Sequence, residues 1–403
     1  MYQSPVYFEA PLNPRHYFSD DLHTLEGRCV FESTWQLVGL ASSVSKPGQY
    51  LAKQLGSVPV VVRNFDGKRV ALRNVCAHRH CELVSSASGH SEKLKCPFHG
   101  WEYGVDGRTR KIPAALNFPN FDRERFKLAS FPLEQCGDLL FVRVSGQGPP
   151  LREWLGELFE RLESWTSMPD WKPAVERELT LSANWKIPVE GSLESYHIPE
   201  VHPQTFAVDP GEANSDHAFA KYSSSFFSSF NAQRFPDRLL RVWEKFILRL
   251  LGVKYLGAYE HHHVFPNLLI SHTESLTLVQ IIRPVTGGTS LSDVWQYGRQ
   301  SRRSNPISKL TAFLWGRFTG WLSYQVLKED IRIFSRVQRG ESAAVDHAVL
   351  GRCEERLHAF QQFIVAQIDT VQRNGTSMES PPSCGQPTCD PAGLCISEGL
   401  END

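Results

Sequence analysis

NVCAHRHC at residues 74–81 and CPFHGW at residues 96–101 carry the strongest structural signal in this chain. Each stretch contributes one cysteine and one histidine at short spacing, namely Cys76 with His78 and Cys96 with His99. Seventeen residues separate the two pairs, so two loops of one small unit can bring the four side chains together. Two thiols and two imidazoles placed in this way indicate a metal centre.

A cysteine and a histidine in each loop are typical of a Rieske [2Fe–2S] centre, where cysteines bind one iron and histidines the other. A zinc site is the alternative, but zinc fingers usually pair cysteine with cysteine and histidine with histidine. The spacing therefore favours a cluster. Cys81 has no partner cysteine in the second loop, and we expect it to be a free thiol.

Length and composition point to a protein with two domains and no nucleic-acid or membrane partner. The 403 residues exceed one ordinary core, and the net charge of −1 gives no basic footprint for nucleic acid. The start of the chain lacks the layout of a secretory signal, and residues 311–327 are too polar for a membrane span. Nine cysteines then favour a reducing compartment, and we expect a cytoplasmic protein.

The predicted fold class is α+β. Short β segments broken by turns predict an all-β domain at residues 31–148, and the Pro149-Pro150 pair marks its end. Residues 149–372 predict a second domain, an antiparallel sheet flanked by helices. Residues 1–30 are expected to pack on the second domain. Residues 373–403, rich in Ser, Pro and Gly, are expected to be disordered.

Strand and helix patterns divide the second domain. The run HHHVFPNLLIS and the segments SLTLVQIIRPV and DVWQYG predict strands. Helical periodicity occupies three stretches, residues 236–251, 307–339 and 347–372.

A second candidate metal site lies at His197 and His202. On an ideal helix two side chains five residues apart differ by about 140° around the axis, but Pro199 between them must bend or end the helix. Two histidines and one distant carboxylate form the facial triad of non-haem Fe(II) oxygenases. Such a histidine pair is a weak signal alone, and the upstream cluster motif is what gives it weight.

Beyond these motifs, the chain resembles the large (alpha) subunit of Rieske non-haem iron oxygenases, the ring-hydroxylating family, over residues 30–372. The resemblance rests on NVCAHR, CPFHGWEYGVDG, NWK followed by E-x-x-x-E-x-Y-H-x4-H, VFPN at 264–267 and KEDIRIFSRVQRG at 328–340. It implies a Rieske [2Fe–2S] cluster on Cys76, His78, Cys96 and His99, and a mononuclear Fe(II) on His197, His202 and Asp330. Glu329 is the alternative carboxylate in the same helix turn.

The resemblance also implies a role for Glu194 at the junction of the two metal sites. In the family, which forms trimers, an acid at this position links a cluster histidine of one subunit, here His99, to an iron-ligand histidine of the next, here His197. Aromatic-ring dioxygenases usually carry Asp there, whereas Glu is found in relatives that oxidise carnitine, choline or glycine betaine, and elsewhere in the family. The substrate class therefore stays open.

The function implied is that of a terminal oxygenase, an oxidoreductase that uses O2 and two electrons to hydroxylate an aromatic ring or to demethylate oxidatively. The sequence shows no flavin or nicotinamide motif, so electrons from NAD(P)H are expected through a separate flavin or iron–sulfur reductase, with or without a ferredoxin. A homotrimer is expected, with or without a small beta subunit. A quaternary-ammonium monooxygenase is the alternative to an aromatic oxygenase. An electron carrier or a regulatory iron protein is the alternative of another class.

Overall fold

The structure is a computed structural model and describes residues 9–203, 205, 215–229 and 235–375. The α+β class predicted from the sequence is confirmed. Three small antiparallel sheets come first in the chain, and a seven-stranded antiparallel sheet with the long helices follows. The three C-terminal cysteines, Cys384, Cys389 and Cys395, lie outside the described residues.

The three small sheets have the strand orders β5-β2-β3-β4-β9, β1-β11-β10 and β6-β7-β8. Their strands are β1 (Gln36–Leu40), β2 (Gln49–Leu55), β3 (Val58–Phe65), β4 (Lys68–Arg73), β5 (Ser88–His90), β6 (Leu94–Lys95), β7 (Glu102–Tyr103), β8 (Thr109–Lys111), β9 (Ser130–Phe131), β10 (Leu133–Cys136) and β11 (Leu139–Val142). The valines of β3 are buried, because side chains on opposite faces of this central strand enter two apolar clusters.

The two motif loops connect strands of two of the small sheets. Residues 74–87 connect β4 to β5, and residues 96–101 connect β6 to β7. Gly100 adopts a φ of +73°, a conformation that side chains other than glycine rarely take, so the short second loop can reverse the chain. Trp101 then re-enters the core and is 2% exposed.

The large sheet has the strand order β12-β18-β17-β16-β15-β14-β13. Its strands are β12 (Trp171–Leu181), β13 (Ser215–Phe219), β14 (Ser223–Ser229), β15 (Ala258–Val264), β16 (Leu268–His272), β17 (Leu276–Thr286) and β18 (Thr289–Arg299). The run HHHVFPNLLIS, predicted as one strand, forms parts of β15 and β16 with a turn between them. The physical reason is Pro266, which has no N–H for a sheet hydrogen bond.

Eight α-helices occur in the described residues, and three of them have more than eight residues. They are α1 (Asp20–Glu26), α2 (Leu151–Leu155), α3 (Leu158–Trp165), α4 (Lys186–Gly191), α5 (Ile198–Val201), α6 (Phe235–Leu251), α7 (Pro306–Glu341) and α8 (Glu355–Gly375). The helical patterns predicted from the sequence correspond to α6, α7 and α8, but the third helix begins at Glu355 and not at residue 347. No helix in the described part of the chain is both long enough and apolar enough to cross a membrane.

The N-terminal segment lies against the large-sheet half. Lys186 and Glu26 form an ion pair of 2.6 Å, and both side chains are buried. The hydroxyl of Tyr17 donates to Glu190 at 2.7 Å. Because these contacts are enclosed and polar, they fix the segment to α4, the helix that precedes the histidine pair.

Small residues bring α7 close to the large sheet. A Cβ placed on Gly298 of β18 would lie 3.2 Å from Cα of Gly316 on α7. At Gly320, one turn later, an added Cβ would lie 2.5 Å from a methyl group of Val175 on β12. The helix therefore lies directly on the sheet backbone at these glycines, which we call the glycine seam (Gly298, Gly316 and Gly320).

Candidate metal centres and substrate cavity

The two cysteines of the motif loops lie in the interior. Cys76 and Cys96 are each 1% exposed. The hydroxyl of Tyr103 lies 3.0 Å from Sγ of Cys76 and also accepts the backbone N–H of Ala77 at 2.9 Å. Burial alone would raise the pKa of Cys96, but backbone N–H groups of the same loop lower it below its usual value. The second loop therefore favours a thiolate, the form that binds iron.

The two loop histidines present a free ring nitrogen to the same region. The rings of His78 and His99 lie 4.6 Å apart, centre to centre, and Nδ1 of each is buried without a hydrogen-bond partner. Trp101 stacks on His78 at 4.9 Å and fixes the plane of its ring. A buried ring nitrogen without a partner is costly unless something binds it, so this donor set fits an iron cluster.

The spacing of these donors distinguishes a cluster from a single ion. Among the described residues, three or more His, Cys, Asp or Glu side chains have ligand atoms within 4.8 Å of one another only at His197, His202 and Asp330. The four side chains of the motif loops do not gather so tightly. A zinc ion would require such convergence, whereas a two-iron cluster spans a wider gap.

The group at His197, His202 and Asp330 has the geometry of a single-ion site. The two histidines flank the short helix α5, whose second residue is Pro199, so their rings converge. Oδ1 of Asp330, on α7, lies 3.0 Å from Nε2 of His202 and 3.7 Å from Nε2 of His197. Two imidazole nitrogens and one carboxylate facing one point fit a mononuclear iron.

Two further carboxylates hold the outer nitrogens of these histidines. Glu194 contacts Nδ1 of His197 and also accepts its backbone N–H at 3.1 Å. Glu329 lies 2.8 Å from Nδ1 of His202. The structure thus brings Asp330 to the inner nitrogens and Glu329 to the outer side, and it does not place Glu329 among the converging ligand atoms. Carboxylates in this outer position fix the tautomer of a metal-binding histidine.

Electrostatics at His202 reflect this crowding of acids. Burial lowers the pKa of His202, but hydrogen bonds and charges from Asp330 and Glu329 outweigh burial and raise it. A bound cation would replace the proton as the positive partner of these carboxylates.

A cavity of about 340 Å³ opens onto the three converging side chains. Its wall is mixed: apolar side chains of α7 and of the sheet alternate with hydroxyl groups. Aromatic rings on it are Phe226, Tyr259, Trp315 and Phe318. Such a chamber has the size and lining of a site for a small organic molecule.

Two of these aromatic residues, Phe226 and Tyr259, reach the cavity from the large sheet. Phe265 belongs to the core, Trp243 is 52% exposed, and Phe230 lies outside the described residues. Of the three adjacent histidines on β15, His261 lines the cavity, whereas His262 and His263 make hydrogen bonds elsewhere.

The family model for the ring hydroxylating alpha subunit (catalytic domain) matches residues 162–370, and that for the Rieske [2Fe-2S] domain matches residues 34–132. The chain belongs to the ring-hydroxylating alpha-subunit family. Its members share the two-domain arrangement described above, and the expected family resemblance is confirmed.

Relatives of this family member include monooxygenases and dioxygenases. It is 34% identical over 193 residues to the glycine betaine monooxygenase oxygenase subunit of Chromohalobacter salexigens, covering 47% of this chain and 43% of the relative. It is 31% identical over 186 residues to choline monooxygenase of Spinacia oleracea, covering 45% of this chain and 42% of the relative. It is 30% identical over 195 residues to the chlorobenzene dioxygenase alpha subunit of a Cupriavidus species, covering 46% and 42%. The matched region spans about half the length of these relatives.

Solved structures show that the fold of this family member extends over most of the chain. A quaternary ammonium Rieske monooxygenase in complex with L-carnitine superimposes with a TM-score of 0.69 at 19% identity, covering 90% of this chain and 95% of the other. Naphthalene 1,2-dioxygenase with bound indole superimposes with a TM-score of 0.68 at 18% identity, covering 93% of this chain and 98% of the other.

Several residues of these sites gave no signal in the sequence. Tyr103 was read only as part of a motif context, and Arg356, which lines the cavity, was not singled out. Arg241, on α6, also lines the cavity and pairs with Glu244 at 2.6 Å.

Proposed function

We propose that the protein is the terminal oxygenase component of a Rieske-type mono- or dioxygenase system, which uses O2 and two electrons to oxidise a small organic substrate. One observation carries this proposal: a single chain holds two separate donor sets of different chemistry, and the second opens onto a cavity of about 340 Å³. An electron carrier would need only the first set.

The Rieske loops are proposed to hold a [2Fe–2S] cluster through Sγ of Cys76 and Cys96 and through Nδ1 of His78 and His99. Phe98, beside His99 in the second loop, is 54% exposed, so the loop tip is open to a partner. Electrons would enter here from NAD(P)H by way of a separate reductase, with or without a ferredoxin. The buried thiols and the stacked Trp101 keep solvent away from the opposite side of the loops.

His197, His202 and Asp330 are proposed to hold a mononuclear Fe(II). When bound by three side chains on one face, this ion supplies open coordination positions for O2 activation. The residues behind the triad have a positioning role: Glu194 and Glu329 keep both Nδ1 atoms engaged, so that both Nε2 atoms stay unprotonated and directed inward. The cavity wall excludes bulk water and orients the substrate towards the triad.

Glu194 is also proposed to connect two subunits of a homotrimer. Its side chain already contacts His197, and a carboxylate can accept a second hydrogen bond from His99 of a neighbouring subunit. The two metal sites would then be joined across the interface by two hydrogen bonds. A cytoplasmic location is proposed with this assignment, since the electron-donating reductase would be found there.

A quaternary ammonium compound is the second candidate substrate class. The relatives named above include enzymes for glycine betaine and choline, and four aromatic rings line the cavity. Ring faces bind methylated ammonium groups by cation–π attraction. An arene would use the same rings as an apolar surface, as the match to chlorobenzene dioxygenase would suggest.

The test is O2 uptake by the metal-loaded protein with a surrogate reductase. Carnitine, glycine betaine and choline are compared with neutral arenes as stimulants. Uptake coupled to product formation supports an oxygenase, and the stimulating class assigns the substrate. A protein that exchanges electrons with the reductase but never consumes O2 with any compound would be an electron carrier or a regulatory iron protein instead.

A further inference from the structure

Arg356 is a cationic side chain enclosed in the cavity wall. It lies near the start of α8 and is 1% exposed. Its Nε donates to the hydroxyl of Ser224 at 3.2 Å, and its Nη2 donates to Nδ1 of His261 at 3.0 Å. Burial and the nearby guanidinium hold the pKa of His261 well below its usual range, so this imidazole is neutral. The polar partners of Arg356 therefore carry no charge.

No carboxylate among the described residues forms an ion pair with Arg356. The acids on the cavity wall are engaged elsewhere: Glu194 with His197, Asp330 with His202 and Glu244 with Arg241. A buried guanidinium without a counter-ion costs several kcal/mol, and burial accordingly lowers the pKa of Arg356 to about 9. Even so, the group stays cationic at neutral pH. The cavity therefore contains a positive charge that the protein itself does not neutralise.

We propose that the substrate carries a carboxylate group and that Arg356 binds it. This inference rests on the proposed function, because the substrate would be oxidised at His197, His202 and Asp330 in the same cavity. Nε and Nη2 of Arg356 are engaged with Ser224 and His261, whereas Nη1 has no hydrogen-bond partner among the described residues and can donate a charge-assisted hydrogen bond to a carboxylate. The hydrogen bonds to Ser224 and His261 hold the planar group in place before the ligand arrives.

Arg241 is a matched control on the same wall. It lines the cavity as Arg356 does, but Glu244 neutralises it at 2.6 Å, and Ser275 donates a second hydrogen bond to that carboxylate at 2.7 Å. Arg241 is therefore expected to contribute little to the binding of an anion. The comparison separates a general effect of removing an arginine from a specific loss of carboxylate binding.

The experiment is calorimetric titration of the metal-loaded protein under anaerobic conditions, where binding does not depend on turnover. The probes are three pairs that differ in the carboxylate: glycine betaine and choline, benzoate and benzamide, acetate and acetamide. In the wild type, the carboxylate of at least one pair should bind about tenfold or more tightly than its counterpart. Arg356→Gln should remove that preference, Arg356→Lys should keep part of it, and Arg241→Lys, which keeps a positive charge beside Glu244, should preserve it.

Two results would overturn the inference. One is a wild-type protein that prefers none of the three carboxylates, and the other is a preference that survives Arg356→Gln. If Arg356→Gln does not fold, Arg356→Lys decides: an undiminished preference would count against a hydrogen bond that depends on the position of the guanidinium. Failure of the proposed function would be seen separately, as carboxylate binding that depends on Arg356 without any substrate-stimulated O2 uptake.

Discussion

The two metal sites use their histidines in opposite orientations. At the motif loops, Nδ1 of His78 and His99 is the buried nitrogen without a partner. At the cavity, Nδ1 of each histidine is held by a carboxylate, and Nε2 faces Asp330. The same side chain is thus prepared for metal binding in two ways: ring stacking and tight turns position it in the loops, whereas hydrogen bonds to carboxylates position it at the cavity.

The two pairs of histidines differ in what surrounds their rings. At the loops, aromatic rings pack on the imidazoles: Trp101 stacks on His78 at 4.9 Å, and the ring of Phe98 lies 3.8 Å from that of His99. At the cavity, carboxylates satisfy the outer ring nitrogens. The cluster loops should therefore respond mainly to the loss of a ligand, and the triad should respond also to changes behind it.

The largest expected effect is at the motif loops. Cys96→Ser should abolish the visible absorption of the cluster and all turnover, and the iron content should fall from about three per chain to about one. Iron analysis and the absorption spectrum of anaerobically prepared protein measure this. Zinc in place of the cluster iron would show that the motif loops had been misassigned.

At the triad, substitutions can test which of two adjacent acids, Asp330 or Glu329, binds the iron. Asp330→Ala should keep the cluster spectrum and abolish turnover, whereas Glu329→Ala should weaken iron binding by about 10- to 100-fold, the usual effect of losing an outer partner. Competition with an iron chelator gives the affinities. If Glu329→Ala lost the iron while Asp330→Ala stayed active, the ligand would be Glu329.

A smaller structural change should uncouple the two sites from each other. Glu194→Gln should retain both iron sites, because the amide oxygen can still accept one hydrogen bond, but electron transfer between them should slow by orders of magnitude. Single-turnover oxidation of the reduced cluster measures the rate.

Mixed trimers provide the matched control for Glu194. Cys96→Ser and His197→Ala chains should each be inactive alone. Co-expressed, they should recover activity by pairing an intact cluster with the intact iron site of a neighbour. No recovery in verified mixed trimers would contradict transfer between subunits.

The smallest effect concerns Glu190 on α4, the helix that precedes the histidine pair, and the pH dependence of stability. Burial raises the pKa of Glu190 to about 7, although Tyr17 and Gln361 donate to its oxygen. The folded protein therefore keeps a proton that the unfolded chain loses near pH 4.5, and the free energy of unfolding should fall as pH rises from there to about 7. In Glu190→Gln the decrease in the free energy of unfolding with pH should be smaller by about 3 kcal/mol. Glu153→Gln, at an exposed position, is the control and should leave the decrease unchanged. Denaturant unfolding at pH 5 and pH 8 measures it; an unchanged pH dependence would show that Glu190 is ionised throughout.

Much of this arrangement could be predicted from sequence because the strongest signals are local. Each cluster pair lies within one short loop, and the periodicity of α7 is long enough to identify the helix within two residues. The choice between Asp330 and Glu329 had to come from resemblance. Neighbouring helix positions differ only by rotation, and no local pattern records which one faces α5.

Arg356 illustrates what local patterns cannot reveal. Its surroundings are assembled from β14, β15 and α8, which lie far apart in the chain. In the sequence it is one arginine among charged neighbours at the start of an amphipathic helix, where such residues are usually solvated. Only the packing of α8 on the sheet turns the side chain inward.

The glycine seam has a consequence for how the metal site tolerates change. From Gly316 to Asp330 the helix rises about 21 Å. Because an α-helix is stiff over this length, a change in its position at the seam would be transmitted to Asp330. Adjacent helix residues differ by about 100° around the axis, so a displacement of α7 would move Asp330 and Glu329 together relative to the histidines. Part of the distance between α7 and the sheet is set by three glycines, none of them a proposed ligand. A Cβ added at Gly298 would lie 3.2 Å from Cα of Gly316, so α7 would have to give way by a few tenths of an ångström, and we expect the iron affinity to change although every ligand in the sequence is intact.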